Sequence, residues 1–246
     1  MVLLLGAPPA AAGVPWKAQV REAREYAESR AGQVSFGVRT VRALRGVEVG
    51  RAYPSASVVK AMLLVAYLRR PEVRSRRLRA GERALLGPMI RRSDDARASQ
   101  VCNVVGTDGL ERLARRARMR RFHATRPWGL STITVADQTR FFLRIDRHVP
   151  RRHRRYAMRL LGSIVPSQRW GIADARPAGW ALYFKGGWGS GTGWVDHQLA
   201  LLKRGRRRIA VAILIRSSPS HAYGNATLRG VARRLVRGLR RGSEPR

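Results

Sequence analysis

The spacing of hydrophobic and polar positions changes along the chain, and these changes predict both helices and strands. Near the start, apolar positions at helical spacing predict an amphipathic helix over 16–30, and two β-like runs over 33–40 and 41–53 are expected to pair as a hairpin. The run from Ser57 to Leu68 is apolar on nearly all sides. Such a run is typical of a helix buried in the middle of a domain.

The rest of the chain returns from helical to strand-like spacing. Composition predicts helices interrupted by turns from about 81 to 161, strands over 180–185, 195–203 and 209–216, and a basic helix over 222–241. Strands at both ends with helices between them indicate an α/β (α+β) fold, in which the terminal segments share one sheet and a helical lobe is inserted.

The domain boundaries follow from the same pattern. We expect one domain over 15–246, with an α/β lobe formed by about 15–59 and 173–246 and a helical lobe over about 60–172. Residues 1–14 have the composition of the end of a secretory leader, although a frayed apolar tail explains them equally well. Export to the cell envelope or medium is therefore the expectation, and a cytoplasmic location stays open.

Charge is the most unusual property of the composition. The 246 residues include 50 Lys plus Arg and 15 Asp plus Glu, a formal net charge of +35, while 44% of the residues are hydrophobic. That apolar content is enough for a folded core. The single cysteine, Cys102, excludes an internal disulfide and any multi-cysteine metal site. No apolar stretch reaches the roughly 20 residues that a membrane span needs.

Lysine is rare among the basic residues. It occurs only at Lys17, Lys60, Lys185 and Lys203. A desolvated lysine can give up its proton and arginine effectively cannot, so a lysine in an apolar or glycine-rich setting indicates chemistry. Lys60 and Lys185 have such settings.

Three short motifs place candidate chemistry along the chain. Ser57-Val58-Val59-Lys60 opens the buried helix, and a lysine three residues after a serine lies on the same helix face, where a desolvated amine can act as a base. Ser93-Asp94-Asp95 follows in a turn, and Lys185-Gly186-Gly187 ends a strand. An isolated S-x-x-K is more often a helix cap followed by a solvated lysine.

In this order, the motifs resemble the S-x-x-K, S-D-N and K-T-G set of the penicillin-recognising serine hydrolases, which include class A β-lactamases and penicillin-binding proteins. The resemblance covers about residues 16–241 and implies the β-lactamase-like fold, with a mostly antiparallel sheet. It implies Ser57 as the acylated nucleophile, Lys60 as its base, Ser93 as a proton relay to the leaving group, and Lys185 as a positive charge near the substrate. The backbone N–H groups of Ser57 and Trp188 would form the oxyanion hole.

Departures from the family pattern affect the substrate-binding positions Asp95, Gly186, Gly187 and Trp188. Asp95 stands where the family has an asparagine, and an ionised carboxylate can only accept hydrogen bonds. Gly186 replaces a Thr or Ser whose hydroxyl meets the substrate carboxylate, at a cost of roughly 1.5–3 kcal/mol. The loop expected at 119–132 contains no carboxylate for deacylation, which leaves His123 as a candidate base.

The function expected from these features is a serine hydrolase acting on a β-lactam or a related amide or ester. Two alternatives stay open: a D,D-peptidase or esterase of the same fold, and a catalytically silent basic protein that binds wall polymer or nucleic acid. We expect a small-molecule or peptidoglycan-like substrate, no cofactor, no metal and a monomer. Nonspecific attraction to polyanions follows from the charge.

Overall fold

A five-stranded antiparallel sheet organises the protein. The computed structural model describes residues 16–240, and the predicted leader, residues 1–14, lies outside them. The sheet has the order β2-β1-β7-β6-β5, so the N-terminal hairpin lies beside the last strand of the chain. The strands are β1 (Gln33–Arg39), β2 (Leu44–Val47), β5 (Ala181–Gly189), β6 (Val195–Arg204) and β7 (Arg207–Arg216), and β3 (Tyr53–Pro54) pairs separately with β4 (Thr132–Ile133).

Helices pack on both faces of this sheet, which is why β6 and β7 are buried along nearly their whole length. The first and last helices pack together on the sheet, and α6 contacts β1, β6 and β7. The α-helices are α1 (Trp16–Glu28), α2 (Lys60–Leu68), α3 (Pro71–Arg74), α4 (Ala80–Arg91), α5 (Asp95–Arg116), α6 (Val135–Leu143), α7 (Ile145–His148), α8 (Arg154–Gly162), α9 (Ile172–Ala175) and α10 (His221–Arg240).

Helix α2 is the central helix of the core. All nine of its residues are buried, as the apolar run predicted, and it packs against α4, α5 and α8. Its predicted start is corrected by the structure, because the first turn, Ala56–Val59, is a 3-10 helix and the α-helix begins at Lys60. No helix within residues 16–240 is both long and apolar enough to cross a membrane.

The α+β architecture with a sheet built from both ends of the chain is confirmed. Two predicted elements are corrected. The strand predicted over 41–53 ends early because Glu48 adopts a left-handed φ of 49°, and Tyr53 then pairs with Ile133 instead of continuing the hairpin. The region predicted as helical also contains β4 and the loop before it, and Gly106, with a φ of 69°, kinks α5.

Candidate active site

Ser57 lies in the 3-10 turn that leads from β3 into α2. The turn is fixed at its entry by Ser55, which is fully buried and whose hydroxyl lies 3.2–3.3 Å from the carbonyl oxygens of Ala56, Trp128 and Gly129. Ala56 follows with a left-handed φ of 43°. These contacts hold the Ser57 backbone while its side chain stays partly accessible.

His197 fixes the segment before this turn to the sheet. Its Nε2 donates to the Pro54 carbonyl at 2.9 Å, and its Nδ1 accepts the Ile215 backbone N–H at 3.2 Å. Burial lowers the pKa of His197 to about 4, so the imidazole is neutral at pH 7. We assign it a structural role in positioning the segment that leads to Ser57.

Two buried lysines converge on Ser93. The Nζ atom of Lys185 donates to Ser93 Oγ at 2.9 Å and to the Gly186 carbonyl at 2.7 Å, and Lys60 Nζ lies 3.2 Å from the same hydroxyl oxygen. Lys60 also donates to the Ser93 carbonyl at 2.5 Å. Ser93 adopts a φ of 59°, and neither lysine has any exposed surface. The structure thus brings together three residues that lie far apart in sequence.

Asp95 pairs directly with Lys60, at 2.5 Å between Oδ1 and Nζ. Burial is the main influence on the pKa of Lys60 and lowers it, whereas Asp95 and the nearby Asp94 act in the opposite direction. The pKa of Lys185 lies well below its ordinary value because of burial, and the charge of Lys60 lowers it further. The site therefore contains two amines whose burial favours the neutral form.

The Ser57 hydroxyl does not take part in the hydrogen bonds that join Lys60, Lys185 and Ser93. In the part of the chain that the structure describes, Lys60 makes its hydrogen bonds to Ser93 and Asp95 and none to the Ser57 side chain. Asp95 contacts this lysine while its side chain stays 77% exposed, and its role in binding a substrate stays a prediction. Asp94 caps α5 by accepting the Arg97 N–H at 2.9 Å.

Gly187 brings strand β5 against the 3-10 turn that contains Ser57. A Cβ atom at this position would lie 2.9 Å from the Ser57 amide nitrogen and 2.8 Å from that of Val58. Real Cβ atoms essentially never approach a backbone this closely. A glycine is needed here, and the next residue along the strand is Trp188, whose N–H is the second predicted oxyanion donor.

An aromatic cluster occupies the other side of β5. The Trp170 ring lies next to Gly186, 3.5 Å from where a Cβ would stand, and packs edge-on to Trp188 with 5.6 Å between centroids. His221 stacks on Trp188 and its Nδ1 lies 2.5 Å from Oδ1 of the buried Asp196. Burial raises the pKa of Asp196, and its hydrogen bond to His221 opposes that effect. Where the family has a hydroxyl, this chain presents aromatic surface.

His123 lies apart from the lysine cluster. Its side chain is 72% exposed, and its Nδ1 faces Glu111 at 3.5 Å. The surrounding loop includes a cis peptide between Arg126 and Pro127 and, as the sequence showed, no carboxylate. Glu111 reaches the loop from α5 to accept the Ala124 N–H at 2.7 Å. The role of His123 as a base stays a prediction.

Two features of the site were not predicted from the sequence. The Lys60–Asp95 ion pair spans 35 positions, and the cluster of Trp170, Trp188 and His221 joins segments that no local pattern connects. An unusual density of Trp and Gly around β5 was the only local signal. Among the described residues, no group of three or more His, Cys, Asp or Glu side chains is arranged to hold a metal ion.

Comparison of the sequence with known protein families identifies the family of the chain. A sequence model described as the beta-lactamase enzyme family matches residues 75–239, more than half of the chain. The matched range contains Ser93, Asp95 and Lys185 and begins after Ser57 and Lys60. No curated protein sequence matches.

Solved structures agree with the family match in fold. An ancestral (GNCA) class A beta-lactamase superposes with a TM-score of 0.77 at 17% identity, covering 89% of this chain and 99% of that one. A beta-lactamase from Sphaerobacter thermophilus gives 0.76 at 16%, covering 91% and 97%, and one from Xanthomonas campestris gives 0.78 at 17%, covering 92% and 99%. The chain therefore has the class A beta-lactamase fold and belongs to the beta-lactamase enzyme family.

Proposed function

We propose that the protein is a serine hydrolase that forms an acyl-enzyme on Ser57 with a β-lactam or a related amide or ester. The observation that carries this proposal is the convergence of Lys60 and Lys185 on the Ser93 hydroxyl, beside the turn that holds Ser57. Burying an amine is costly unless it is paired with a carboxylate, and in the described part of the chain Lys185 is fully buried with a hydroxyl and a carbonyl oxygen as its hydrogen-bond partners.

The proposed acylation starts with transfer of the Ser57 proton to a neutral amine. Lys60 follows Ser57 by one helical turn, and burial favours its neutral form. Attack of Ser57 Oγ on the carbonyl carbon then forms a tetrahedral intermediate, whose oxyanion accepts the N–H groups of Ser57 and Trp188. As the bond to the leaving nitrogen or oxygen breaks, Ser93 delivers its proton to that atom, and the Lys60 ammonium, which lies 3.2 Å from Ser93 Oγ, returns the proton taken from Ser57 to Ser93.

Asp95 tunes this step. Because its carboxylate contacts Lys60 directly, it favours the ammonium form of the base and opposes the effect of burial. Lys60 can accept the Ser57 proton only after its ammonium group has lost a proton, and the ion pair with Asp95 makes that loss less favourable. We therefore expect acylation to be slower than an asparagine at this position would allow, and to rise with pH.

The substrate is proposed to differ from a typical penicillin at the Gly186 end of the site. Gly186 offers no hydroxyl to a carboxylate, and Trp170 covers the space beside it. Lys185 is already engaged by Ser93 and the Gly186 carbonyl. A flat or apolar group fits this surface better than a carboxylate does.

A second candidate within the same fold is a D,D-peptidase or penicillin-binding type of activity, in which the acyl-enzyme is hydrolysed slowly. The specific observation is that residues 119–132 contain no carboxylate and that His123 faces Glu111 at the surface. Without a carboxylate in that loop, water attack on the acyl-enzyme lacks its usual activation. The acyl-enzyme would then persist.

Intact-protein mass spectrometry during incubation with a penicillin, and separately with a neutral aryl ester, tests the proposal. We expect a mass increase equal to the acyl group in the unmodified protein and none in Ser57→Ala. A persistent adduct supports the penicillin-binding alternative, and a transient adduct with product release supports a β-lactamase or esterase. No adduct with either reagent would contradict an acyl-enzyme on these substrates and favour the silent binding protein.

A further inference from the structure

A cavity of about 450 Å³ lies where the C-terminal parts of α2 and α5 meet α3, at the opposite end of α2 from Lys60. Among the described residues, four arginines line it, Arg69, Arg70, Arg112 and Arg116, and Glu72 is the one acidic side chain on its wall. We propose that this cavity binds a phosphate monoester that carries an apolar chain.

The positive charge of the cavity is largely uncompensated. Glu72 lies 3.4 Å from Arg70, so within residues 16–240 the guanidinium groups of Arg69, Arg112 and Arg116 have no carboxylate partner on the cavity wall. Arg112 and Arg116 are four residues apart on α5, a spacing at which like charges destabilise a helix. A bound anion would remove this repulsion.

Groups behind the cavity wall show the same excess of positive charge. Burial lowers the pKa of His148 to about 4, and Arg69, Arg116 and Arg144 add to the effect. Burial also lowers the pKa of Arg69, and the charges of Arg116 and Arg74 lower it further. Arg69 is held in place by a 2.8 Å hydrogen bond to the His148 carbonyl. Arg69 is therefore preorganised, and the neighbouring cationic groups repel it.

The remaining cavity wall is apolar. It therefore favours a ligand that carries an apolar group next to its phosphate. Ala66, Val105 and Leu113 come from the buried sides of α2 and α5, and Val104 is 48% exposed. A free inorganic anion would contact the guanidinium groups and leave the exposed Val104 side chain in water. A phosphate monoester satisfies both parts, because its dianion matches several arginines and its chain covers the apolar wall.

Isothermal titration calorimetry with hexyl phosphate at fixed ionic strength tests the site. The test variant is Arg112→Gln/Arg116→Gln, and the matched control is Arg151→Gln/Arg152→Gln, which removes the same charge from exposed positions outside the cavity. We expect saturable 1:1 binding, a Kd raised about tenfold or more in the test variant, and a change below about twofold in the control. Inorganic phosphate and hexan-1-ol should each bind more weakly than hexyl phosphate.

Equal weakening in the two double variants would overturn the proposal, because it would assign binding to the net charge alone. Absence of saturable 1:1 binding, or equal affinity for inorganic phosphate and hexyl phosphate, would also overturn it. Dodecyl phosphate identifies the source of the natural ligand. Tighter binding than hexyl phosphate indicates a lipid-derived ligand, and equal binding indicates a small soluble phosphate ester.

Discussion

Replacing Gly187 by alanine should damage both stability and acylation. The added Cβ would lie 2.8 Å from the backbone nitrogen of Val58 and 2.9 Å from that of Ser57. Either β5 or the 3-10 turn that contains Ser57 must therefore move. Overpacking of this kind costs roughly 1–3 kcal/mol, which lowers Tm by about 2–12 °C for a domain of this size. A misplacement of about 1 Å at a reacting centre lowers rates by roughly 100-fold.

Two other glycines in the same segment provide controls. A Cβ at Gly191 meets nothing within 4 Å, so Gly191→Ala should keep both Tm and the acylation rate. A Cβ at Gly186 makes ordinary contact with Trp170 at 3.5 Å, so Gly186→Ala should keep Tm. The assays are thermal unfolding and the rate of adduct formation by mass spectrometry. Unchanged Tm and rate in Gly187→Ala would refute the close approach of β5 to Ser57.

Two further predictions concern pH. The folded-state pKa of His197, about 4, lies below its ordinary 6.5, so the unfolded chain binds the extra proton between these values. The contribution of His197 to stability is then full above pH 6.5 and falls by up to about 3 kcal/mol as pH drops to 4. His148, whose pKa burial also lowers to about 4, adds its own slope over the same range. His197→Gln should therefore remove the His197 part of the slope in denaturant titrations at pH 7, 5.5 and 4.5 and leave the His148 part, and an unchanged slope would count against the assignment. Asp95→Asn removes the carboxylate that raises the pKa of Lys60, so the rise of acylation with pH should move to lower pH, and a move to higher pH would contradict Lys60 as the base.

The elements with a strong local pattern could be predicted from the sequence. The apolar run of α2 and the strand-like runs of β6 and β7 were each predicted as one element. Strands at both ends of the chain, with helices between them, indicated that the two ends share a sheet. The strand predicted over 41–53 was wrong at its end, because the left-handed turn at Glu48 and the pairing of Tyr53 with Ile133 depend on a segment 80 positions away.

The side chains of the site could be predicted from the sequence where their residue type alone indicates a chemical role. The rarity of lysine singled out Lys60 and Lys185, which the fold brings to one hydroxyl. The contact between Asp95 and Lys60 was not predictable, since a carboxylate in a turn is equally suited to solvent or substrate. The covering of Gly186 by Trp170 likewise depends on tertiary packing between distant segments.

Tandem mass spectrometry of the acylated protein identifies the residue that carries the acyl group. After brief reaction with a penicillin or an aryl ester and proteolysis, we expect the added mass on Ser57. Ser55, fully buried two residues earlier, and Ser93, held by both lysines, serve as internal controls and should stay unmodified. An acyl group on Ser93 or on any residue other than Ser57 would contradict the proposed nucleophile, and an unmodified protein would contradict acylation by these substrates.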